Sequence, residues 1–573
     1  MADVILEGLS TKKLLDLFDS MKHNYGRAAA TQKLQALRAL RTRKIRQAAL
    51  LARYHETLCF LQAYPDNREL LALVEDVLDG FDGLVQDARQ HTAARNHKQL
   101  DNTGIAGTTV TYPFSYTTLK WLVRRFPNAL SVDWKGFENE GKLLVMLPEF
   151  VAYLENEAID DPELETRRWL TLGQEGKADV AALLELFENS RLRPQARDVL
   201  YELLDLSICW RLHGRGASRT AAKVAVPTVF YQAGPLSRRK GEVARLIRKP
   251  LPSVRQAGRD EAEGLISASW AALAVRLREM VPLLYANPRD VWTVEAERGV
   301  QVVLIGMLPS HRLPLECTYF FLLLKNGVPV GYGCGSTLAD RTEVAANVFE
   351  SFRRGESAFV YAQVLRAFHQ VFGATSFLLD RSQIGYEDRE GIKSGAFWFY
   401  HKMGFRPVAG EARQLADSEL ARMEKDRSYR SPAAVLRRLA RSDMLLKLAR
   451  KEPVAGQVRL GNIGRLVTGF IGREFGGHRA AAVKSAMDRL AGILPLEPFG
   501  RFSRDEMEAI RRFSPLVVQI PDLDAWRPDE KADLVALMAA KGSVSEIPYA
   551  RRLARHRRLL RSLAVLSQQG GAL

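Results

Sequence analysis

The sequence predicts a multidomain α+β protein with a helical N-terminal domain, a central α/β domain and a helical C-terminal region. At 573 residues, the chain is long enough for about two to four domains that each bury a core. Apolar residues recur at helical spacing towards both ends, whereas the middle contains short apolar runs and the hairpin signal Asn326-Gly327. These changes of pattern predict segments at 1–213, 214–258, 259–410 and 411–573.

The N-terminal segment, 1–213, has apolar residues at three- and four-residue spacing with charges between them. This periodicity predicts an α-bundle. It is interrupted at 100–114 by Gly, Thr and aromatic residues, which predict a loop or a short β-excursion. No ligand is assigned to that excursion, because it lacks the Lys of a phosphate loop. The predicted helices cover 11–22, 31–63, 67–91, 114–126, 143–157 and 180–213.

The segment 214–258 is basic and contains proline. Its cations include Arg238, Arg239 and Lys240, with Arg248 and Arg255 further on. A run of like charges is most often solvated, so the segment is predicted to be a linker. Lining an anionic cofactor or substrate is the alternative.

The central segment, 259–410, has the pattern of a sheet followed by strand–turn–helix units. Each strand candidate is a short apolar run, and the Asn-Gly pair predicts a two-residue hairpin. A long apolar helix is predicted at 359–371, and a loop at 381–393. The predicted strands are 302–307, 317–325, 328–333, 342–349 and 374–380.

The turn before the long helix carries candidate anion-binding residues. A helix N-terminus offers unpaired N–H groups and the positive end of the helix dipole, which together favour a phosphate. The alternative is a capped helix start without a ligand. The candidates for a pyrophosphate are Arg353, Arg354, Gly355, Ser357 and Ala358.

An aromatic helix end closes the central segment. Ala396 and Tyr400 are one helical turn apart, so the small residue leaves room above the ring. Gly404 is placed to end the helix with positive φ, and Phe405 to begin a strand. This spacing resembles the closing signature of the GCN5-related N-acetyltransferase (GNAT) superfamily, although an ordinary aromatic helix end has the same residues. The resemblance covers roughly 260–410.

The resemblance implies a domain with a mixed, mostly antiparallel sheet that transfers an acyl group from acetyl-CoA or another acyl-CoA to an amine. The resemblance implies direct attack of the amine on the thioester, with Tyr400 as the general acid. Glu343 would be the general base, and Glu316 and Glu350 are the alternatives for that base. A backbone N–H near Asn347 or Phe349 would stabilise the oxyanion, so Phe349 joins the cofactor-binding candidates.

The turn departs from the superfamily pattern Gln/Arg-x-x-Gly-x-Gly/Ala. Arg354 fits the first place, but Ser357 and Phe359 stand where small residues are expected. The second hypothesis is therefore a non-catalytic helical scaffold in which a degenerate GNAT-like domain binds a protein or an anionic surface. The amine acceptor does not follow from the sequence, because one fold serves many acceptors.

The C-terminal segment, 411–573, is predicted to be helical and basic, with an arginine-rich amphipathic helix from Arg551 that suits an anionic partner. The net charge of +17 attracts acidic partners without choosing among them, and no nucleic-acid-binding motif is evident. Four scattered cysteines predict buried thiols and no metal site. The absence of a signal-peptide pattern or a membrane-length apolar run predicts a cytoplasmic protein.

Overall fold

The protein is α+β with one large mixed sheet, as the sequence predicts. The computed structural model describes residues 6, 8–93, 98–161, 163–172, 178–213, 216–237, 243–449, 454–496 and 502–571. Within these residues, no helix is both long and apolar enough to cross a bilayer. The chain divides into two compact units. The first comprises Met1–Leu236, Gly264–Leu284 and Lys325–Pro329, and the second comprises Ser237–Glu263, Tyr285–Leu324 and Val330–Leu573.

The first unit consists of helices and one small antiparallel sheet with strand order β1-β3-β2. Aromatic side chains such as Tyr116, Phe187 and Trp210 are buried in its core. Helix α13 begins in the second unit and enters the first at Gly264. The elements are α1 Thr11–Met21, α2 Arg27–Arg41, α3 Ala48–Ala63, α4 Arg68–Asp79, α5 Phe81–His91, β1 Thr109–Tyr112, α6 Tyr116–Arg125, β2 Leu130–Val132, α7 Glu140–Met146, α8 Asn156–Ile159, α9 Thr166–Leu172, α10 Asp179–Asn189, α11 Pro194–Glu202, β3 Ile208–Arg211, α13 Arg259–Ala274 and α14 Val281–Leu284.

Four predictions for the N-terminal segment need correction. The predicted helix 143–157 is interrupted, since α7 ends at Met146 and two 3-10 turns precede α8. The predicted helix 31–63 is two helices, since α2 ends at Arg41 and α3 begins at Ala48. The predicted helix 67–91 breaks at Gly80, which caps both α4 and α5. The helix predicted over 180–213 is wrong at β3, where burial alternates with period two. Apolar spacing continues across these breaks because consecutive helices bury faces in the same core, so periodicity alone does not locate them.

The Asn326-Gly327 turn is confirmed, and its residues belong to the first unit. Both have positive φ, 51° and 76°, as a two-residue hairpin turn of this kind requires. The Asn326 side-chain amide donates to the carbonyl oxygens of Ala63, at 2.9 Å, and Phe230, at 3.0 Å. The Phe230 N–H donates back to Asn326 Oδ1 at 2.8 Å. The turn is therefore held by long-range hydrogen bonds as well as by its own conformation.

Replacing Gly327 with alanine is expected to destabilise the first unit by at least about 2 kcal/mol. A Cβ at this position would lie 2.0 Å from the Val224 carbonyl oxygen, in addition to the strain of positive φ. Gly26→Ala is the matched control, because Gly26 also has positive φ but no atom lies within 4 Å of its Cβ position. Thermal unfolding should show the larger shift for Gly327→Ala; equal shifts would contradict the clash.

The second unit is built on a nine-stranded sheet with the order β11-β12-β10-β9-β8-β7-β6-β5-β4. Strand β9 pairs with β10 in parallel, whereas β4–β5, β5–β6, β8–β9, β10–β12 and β11–β12 are antiparallel. The strands are β4 Ser253–Gln256, β5 Ala286–Glu295, β6 Val300–Met307, β7 Cys317–Lys325, β8 Val328–Leu338, β9 Arg341–Val348, β10 Ser376–Leu379, β11 Arg406–Pro407 and β12 Met444–Lys447.

Helices cover parts of this sheet and form the C-terminal part of the unit. The long predicted helix is confirmed as α15, which ends at Gly373 in the left-handed region. The helices are α12 Val243–Arg248, α15 Ser357–Phe372, α16 Arg389–Ser394, α17 Ala396–Lys402, α18 Gly410–Lys425, α19 Ala433–Leu439, α20 Leu460–Phe475, α21 Arg479–Ala491, α22 Arg504–Val517, α23 Pro528–Ala540, α24 Ile547–Arg555 and α25 Arg557–Gln569.

The five predicted central strands are confirmed as β6 to β10, but the sheet takes strands from outside 259–410 on both sides. Strand β4 and helix α12 lie in the predicted linker, where Arg255 is paired with Glu261 at 2.6 Å. The prediction that 411–573 is helical is wrong at β12, which lies between β10 and β11 in the sheet. The predicted loop 381–393 contains a 3-10 turn, Arg381–Ile384, and the start of α16. The predicted arginine-rich helix is two helices, α24 and α25.

Candidate functional site

A gap between two parallel strands is the central feature of the candidate site. Strands β9 and β10 pair over only three positions, ending at the pair Leu378 and Glu343. Strand β10 ends one residue later, whereas β9 continues for five residues to Val348. At the usual rise per residue, β9 runs for about 16 Å beyond the last pair. The two strands therefore separate at Glu343, and the unpaired part of β9 leads to the turn before α15.

Successive backbone N–H groups of β9 point to opposite edges of the strand. The Phe349 N–H donates to the Val330 carbonyl at 2.9 Å, on the side of β8. Because backbone groups alternate along a strand, the Asn347 N–H also points towards β8, and those of Ala346 and Val348 point towards the gap. The amides of Asn347 and Phe349, which the sequence analysis considers as oxyanion donors, therefore face β8, whereas those of Ala346 and Val348 face the gap. The Phe349 side chain is buried against Tyr332.

One of the gap-facing amides already has a partner. The Ala346 N–H donates to Gln383 Oε1 at 3.2 Å. Gln383 is half-buried and lies in the 3-10 turn that follows β10. The side chain thus links the diverging ends of the two strands, at the first gap-facing amide beyond Val344.

The predicted phosphate turn lies at the far end of the gap, between β9 and α15. Arg353 and Arg354 are exposed, whereas Gly355 and Ala358 are buried and Ser357 is half-buried. Arg353 pairs with Glu390 at 2.8 Å, and both side chains are largely solvated. The Ser357 hydroxyl donates to the Arg353 carbonyl at 2.8 Å. The two arginines and Ser357 are the candidates that solvent reaches.

The acidic residue of this turn, Glu356, is the N-cap residue of α15, but its carboxylate does not cap the helix. Its carboxylate is fully buried and pairs with Arg298 at 2.6 Å, and it accepts a hydrogen bond from the Ser237 N–H at 2.7 Å. The Glu356 side chain makes no capping hydrogen bond to the first-turn amides of α15. Its carboxylate therefore does not cap the positive end of the helix dipole. The predicted basic run Arg238–Lys240 lies outside the described residues.

Tyr400 lies on α17, the helix that follows the turn after β10. Its ring packs edge to face against Tyr361 of α15, with centroids 5.4 Å apart, and against Phe405 at 5.9 Å. Burial raises the pKa of Tyr400 to about 12, so its hydroxyl stays protonated at neutral pH. Gly404 has φ of 104° and Phe405 is fully buried, which confirms the predicted end of the helix.

Glu343 lies where the parallel pairing ends. Desolvation raises the pKa of its carboxyl group, and the negative charges of Asp380, Glu316 and Asp443 act in the same direction. Glu316 precedes β7, and burial likewise raises the pKa of its carboxyl group. Glu350 is exposed in the 3-10 turn after β9. Of the three carboxylates considered as a base, Glu343 is the one on the strand that lines the gap.

The two predicted catalytic residues lie on opposite sides of the sheet. A Cβ on Gly335 would meet the Phe368 ring of α15, so this residue of β8 faces that helix. Ser336, the next residue, faces away and is the cross-strand partner of Glu343. Glu343 therefore lies on the face that α15 does not cover, while Tyr400 packs against α15. A group bound in the gap would be approached by the two residues from different sides.

A separate cavity of about 1000 Å³ lies elsewhere in the second unit. Its walls come from the segment before β7 and from α20 and α22, and include Leu315, Ile463 and Phe513. Glu316 is the single predicted candidate in its lining, and none of the turn residues contributes. The cavity and the gap are therefore distinct features.

Comparisons with known proteins do not assign this arrangement. A scan against protein-family models, a search of curated proteins and a search of solved structures each returned no match.

Three groups that line or flank the gap did not follow from the sequence. They are the amide of Ala346, the amide of Val348 and the Gln383 side chain. Strand periodicity predicts which side chains share a face, but it does not state which neighbour a strand has on each edge. An amide's direction therefore required the sheet order.

Proposed function

We propose that the protein is an acyl-CoA-dependent N-acyltransferase. The observation that carries the proposal is the separation of β9 from β10 at Glu343, with gap-facing amides beyond it and the N-terminus of α15, which the Glu356 side chain does not cap, at its far end. Such a gap suits a thioester on a long arm, whose phosphates would lie at the helix N-terminus. Arg353, Arg354 and Ser357 would contact those phosphates.

In the proposed reaction, the amine nitrogen attacks the thioester carbonyl carbon and a C–N bond forms. The Ala346 N–H faces the gap and would donate to the negative oxygen of the tetrahedral intermediate. Glu343 takes the proton that the amine loses. The C–S bond then breaks, and the thiolate leaves with the Tyr400 hydroxyl as its hydrogen-bond donor and acid. The products are an amide and free coenzyme A.

The second candidate is the non-catalytic scaffold. It is favoured by the polar groups of the turn that are already paired, such as Arg353 with Glu390 and Ser357 with the Arg353 carbonyl. Both contacts are solvent-exposed, and exposed pairs of this kind contribute only about 0–1 kcal/mol. A phosphate could exchange for them at small cost, so we favour the enzyme.

Calorimetric titration with acetyl-CoA and with desulfo-coenzyme A tests the proposal. Saturable binding of both, weakened by salt, would support it, because the phosphates contribute much of the attraction. If neither ligand binds at low salt, the scaffold becomes the leading function.

The variant Ser357→Glu is expected to weaken acetyl-CoA binding at least about tenfold without unfolding the protein. An acidic residue in the first turn of a helix is favourable for the helix dipole, whereas it repels a phosphate placed there. Ser357→Ala is the matched control, since it removes the hydroxyl without adding charge. Unchanged affinity in Ser357→Glu, with an unchanged melting temperature, would move the phosphate site away from this turn.

A further inference from the structure

We propose that the Gln383 carboxamide occupies the Ala346 N–H, the donor that the proposed function assigns to the acyl oxygen, until acyl-CoA displaces it. The proposal rests on the proposed acyltransferase function and concerns the same gap. It makes Gln383 a residue that sets the affinity for the acyl group, distinct from the residues that hold coenzyme A.

The Gln383 carboxamide oxygen takes the place that the carbonyl oxygen of the substrate would occupy. Gln383 Oε1 is an sp² carbonyl oxygen that accepts from the Ala346 N–H at 3.2 Å. A thioester carbonyl is also an sp² oxygen acceptor and would approach the same N–H along the same direction. A backbone amide that has lost its strand neighbour needs another acceptor, and Gln383 supplies one. The two acceptors cannot occupy a single N–H together.

The surroundings of Gln383 allow it to move. Its neighbours Arg381 and Ser382 are exposed, and the turn ends at Gly385 in the left-handed region, with φ of 103°. Gln383 itself is half-buried. The side chain can therefore leave the gap by rotation about its own bonds without displacing a packed core residue.

The test compares two ligands that differ only in the acyl group. Acetyl-CoA carries the competing carbonyl, and coenzyme A does not. In Gln383→Ala, acetyl-CoA is expected to bind roughly 2- to 10-fold more tightly, the equivalent of one net hydrogen bond no longer displaced. Coenzyme A affinity should stay within about twofold. Gln256→Ala is the matched control, because the Gln256 amide donates to the Arg289 carbonyl at 2.8 Å elsewhere in the sheet, and neither ligand should respond to it.

A spectroscopic measurement reports the contact directly. With acetyl-CoA labelled with ¹³C at the carbonyl, difference infrared spectra should show the carbonyl stretch shifted to lower frequency on binding to the wild-type protein and to Gln383→Ala alike. The shift is expected because a hydrogen bond weakens the C=O bond. A bound carbonyl with the frequency of free acetyl-CoA would overturn the assignment of Ala346 as donor.

The outcomes separate this proposal from the proposed function. If both ligands bind, but Gln383→Ala changes neither affinity or changes both equally, the role of Gln383 is overturned while acyl-CoA binding stands. If the wild-type protein and Gln383→Ala both fail to bind either ligand, the proposed function falls, and the role of Gln383 falls with it.

Discussion

The variant Tyr400→Phe is expected to lower turnover about 100-fold while leaving acetyl-CoA affinity within about twofold. The substitution removes only the hydroxyl, so the edge-to-face packing against Tyr361 and Phe405 is retained. The departing thiolate would lose its hydrogen-bond donor, an interaction that strengthens as the C–S bond breaks. An effect confined to the transition state lowers turnover without weakening the ground-state complex.

The pH dependence gives this prediction a second readout. Burial raises the pKa of Tyr400 to about 12, so the hydroxyl remains protonated through the range in which an ordinary tyrosine ionises. The pH dependence of turnover near pH 10 should therefore be the same in the wild-type protein and in Tyr400→Phe. A decline near pH 10 that disappears in the variant would show that Tyr400 ionises as an exposed phenol, which would contradict its burial.

Tyr361→Phe is the matched control for Tyr400→Phe. Tyr361 is its ring partner, but its hydroxyl is buried and unpartnered among the described residues, so it has no contact to contribute to the reaction. Removing an unsatisfied buried hydroxyl should leave stability unchanged or slightly raised. Turnover should change less than about threefold on the same assay. Equal losses in the two variants would indicate a packing effect and remove Tyr400 as the acid.

The second large effect concerns stability, and Arg366→Met is expected to cost the second unit about 3 kcal/mol. The Arg366 guanidinium is fully buried in α15. It donates to both Glu297 carboxylate oxygens, at 2.6 and 3.3 Å, and to the carbonyl oxygens of Lys249, at 2.8 Å, and Pro250. Methionine fills much of the same volume, but it leaves these acceptors without their donor.

Acid should remove part of the same stabilisation. Partial burial acts to raise the pKa of Glu297, but hydrogen bonds from Arg366 and Lys249 outweigh it and lower the pKa to about 2. Because the folded-state pKa is below the ordinary value of 4.5, the contribution is present above about pH 4.5 and is lost as the pH falls towards 2. In Arg366→Met, the free energy of unfolding should depend less on pH in this window.

Urea unfolding at pH 7 and pH 3 measures both effects. Arg353→Met is the matched control, since the Arg353–Glu390 pair is exposed and such pairs are worth less than about 1 kcal/mol. A loss below about 1 kcal/mol in Arg366→Met would contradict a structural role for the buried pair. If the free energy of unfolding falls between pH 7 and pH 3 by the same amount in both proteins, Glu297 does not depend on Arg366 for its low pKa.

The sequence predicted the local elements of the central segment well, and for physical reasons. Asn326 and Gly327 tolerate positive φ, so they specify a hairpin turn irrespective of what surrounds them. Gly404 ends its helix in the same way, and buried strands such as β7 are continuous apolar runs. Patterns of this kind depend on backbone preference and burial, both of which a sequence encodes residue by residue.

The incorrect secondary-structure predictions at β12 and β4 have a common cause, which is strand pairing between segments far apart in the chain. Strand β12 is four residues long and follows a basic helix, so nothing in its own sequence distinguishes it from the end of that helix. It becomes a strand because it pairs with β10 on one side and with β11 on the other. Strand β4 is an exposed edge strand in a segment whose composition predicts a linker. Short edge strands depend on their neighbours more than on their own propensity.

The sequence by itself determined the Asn326-Gly327 hairpin and the aromatic helix that carries Tyr400. It also determined that a strand, a turn and a helix follow one another from β9 to α15. Tertiary structure alone decided the sides of the sheet on which Glu343 and Tyr400 lie, the buried partners of Glu356, and the amides that face the gap. The physical reason is that φ preferences and apolar periodicity act over a few residues. Strand register, amide direction and the carboxamide of Gln383 depend on contacts between segments far apart in the chain.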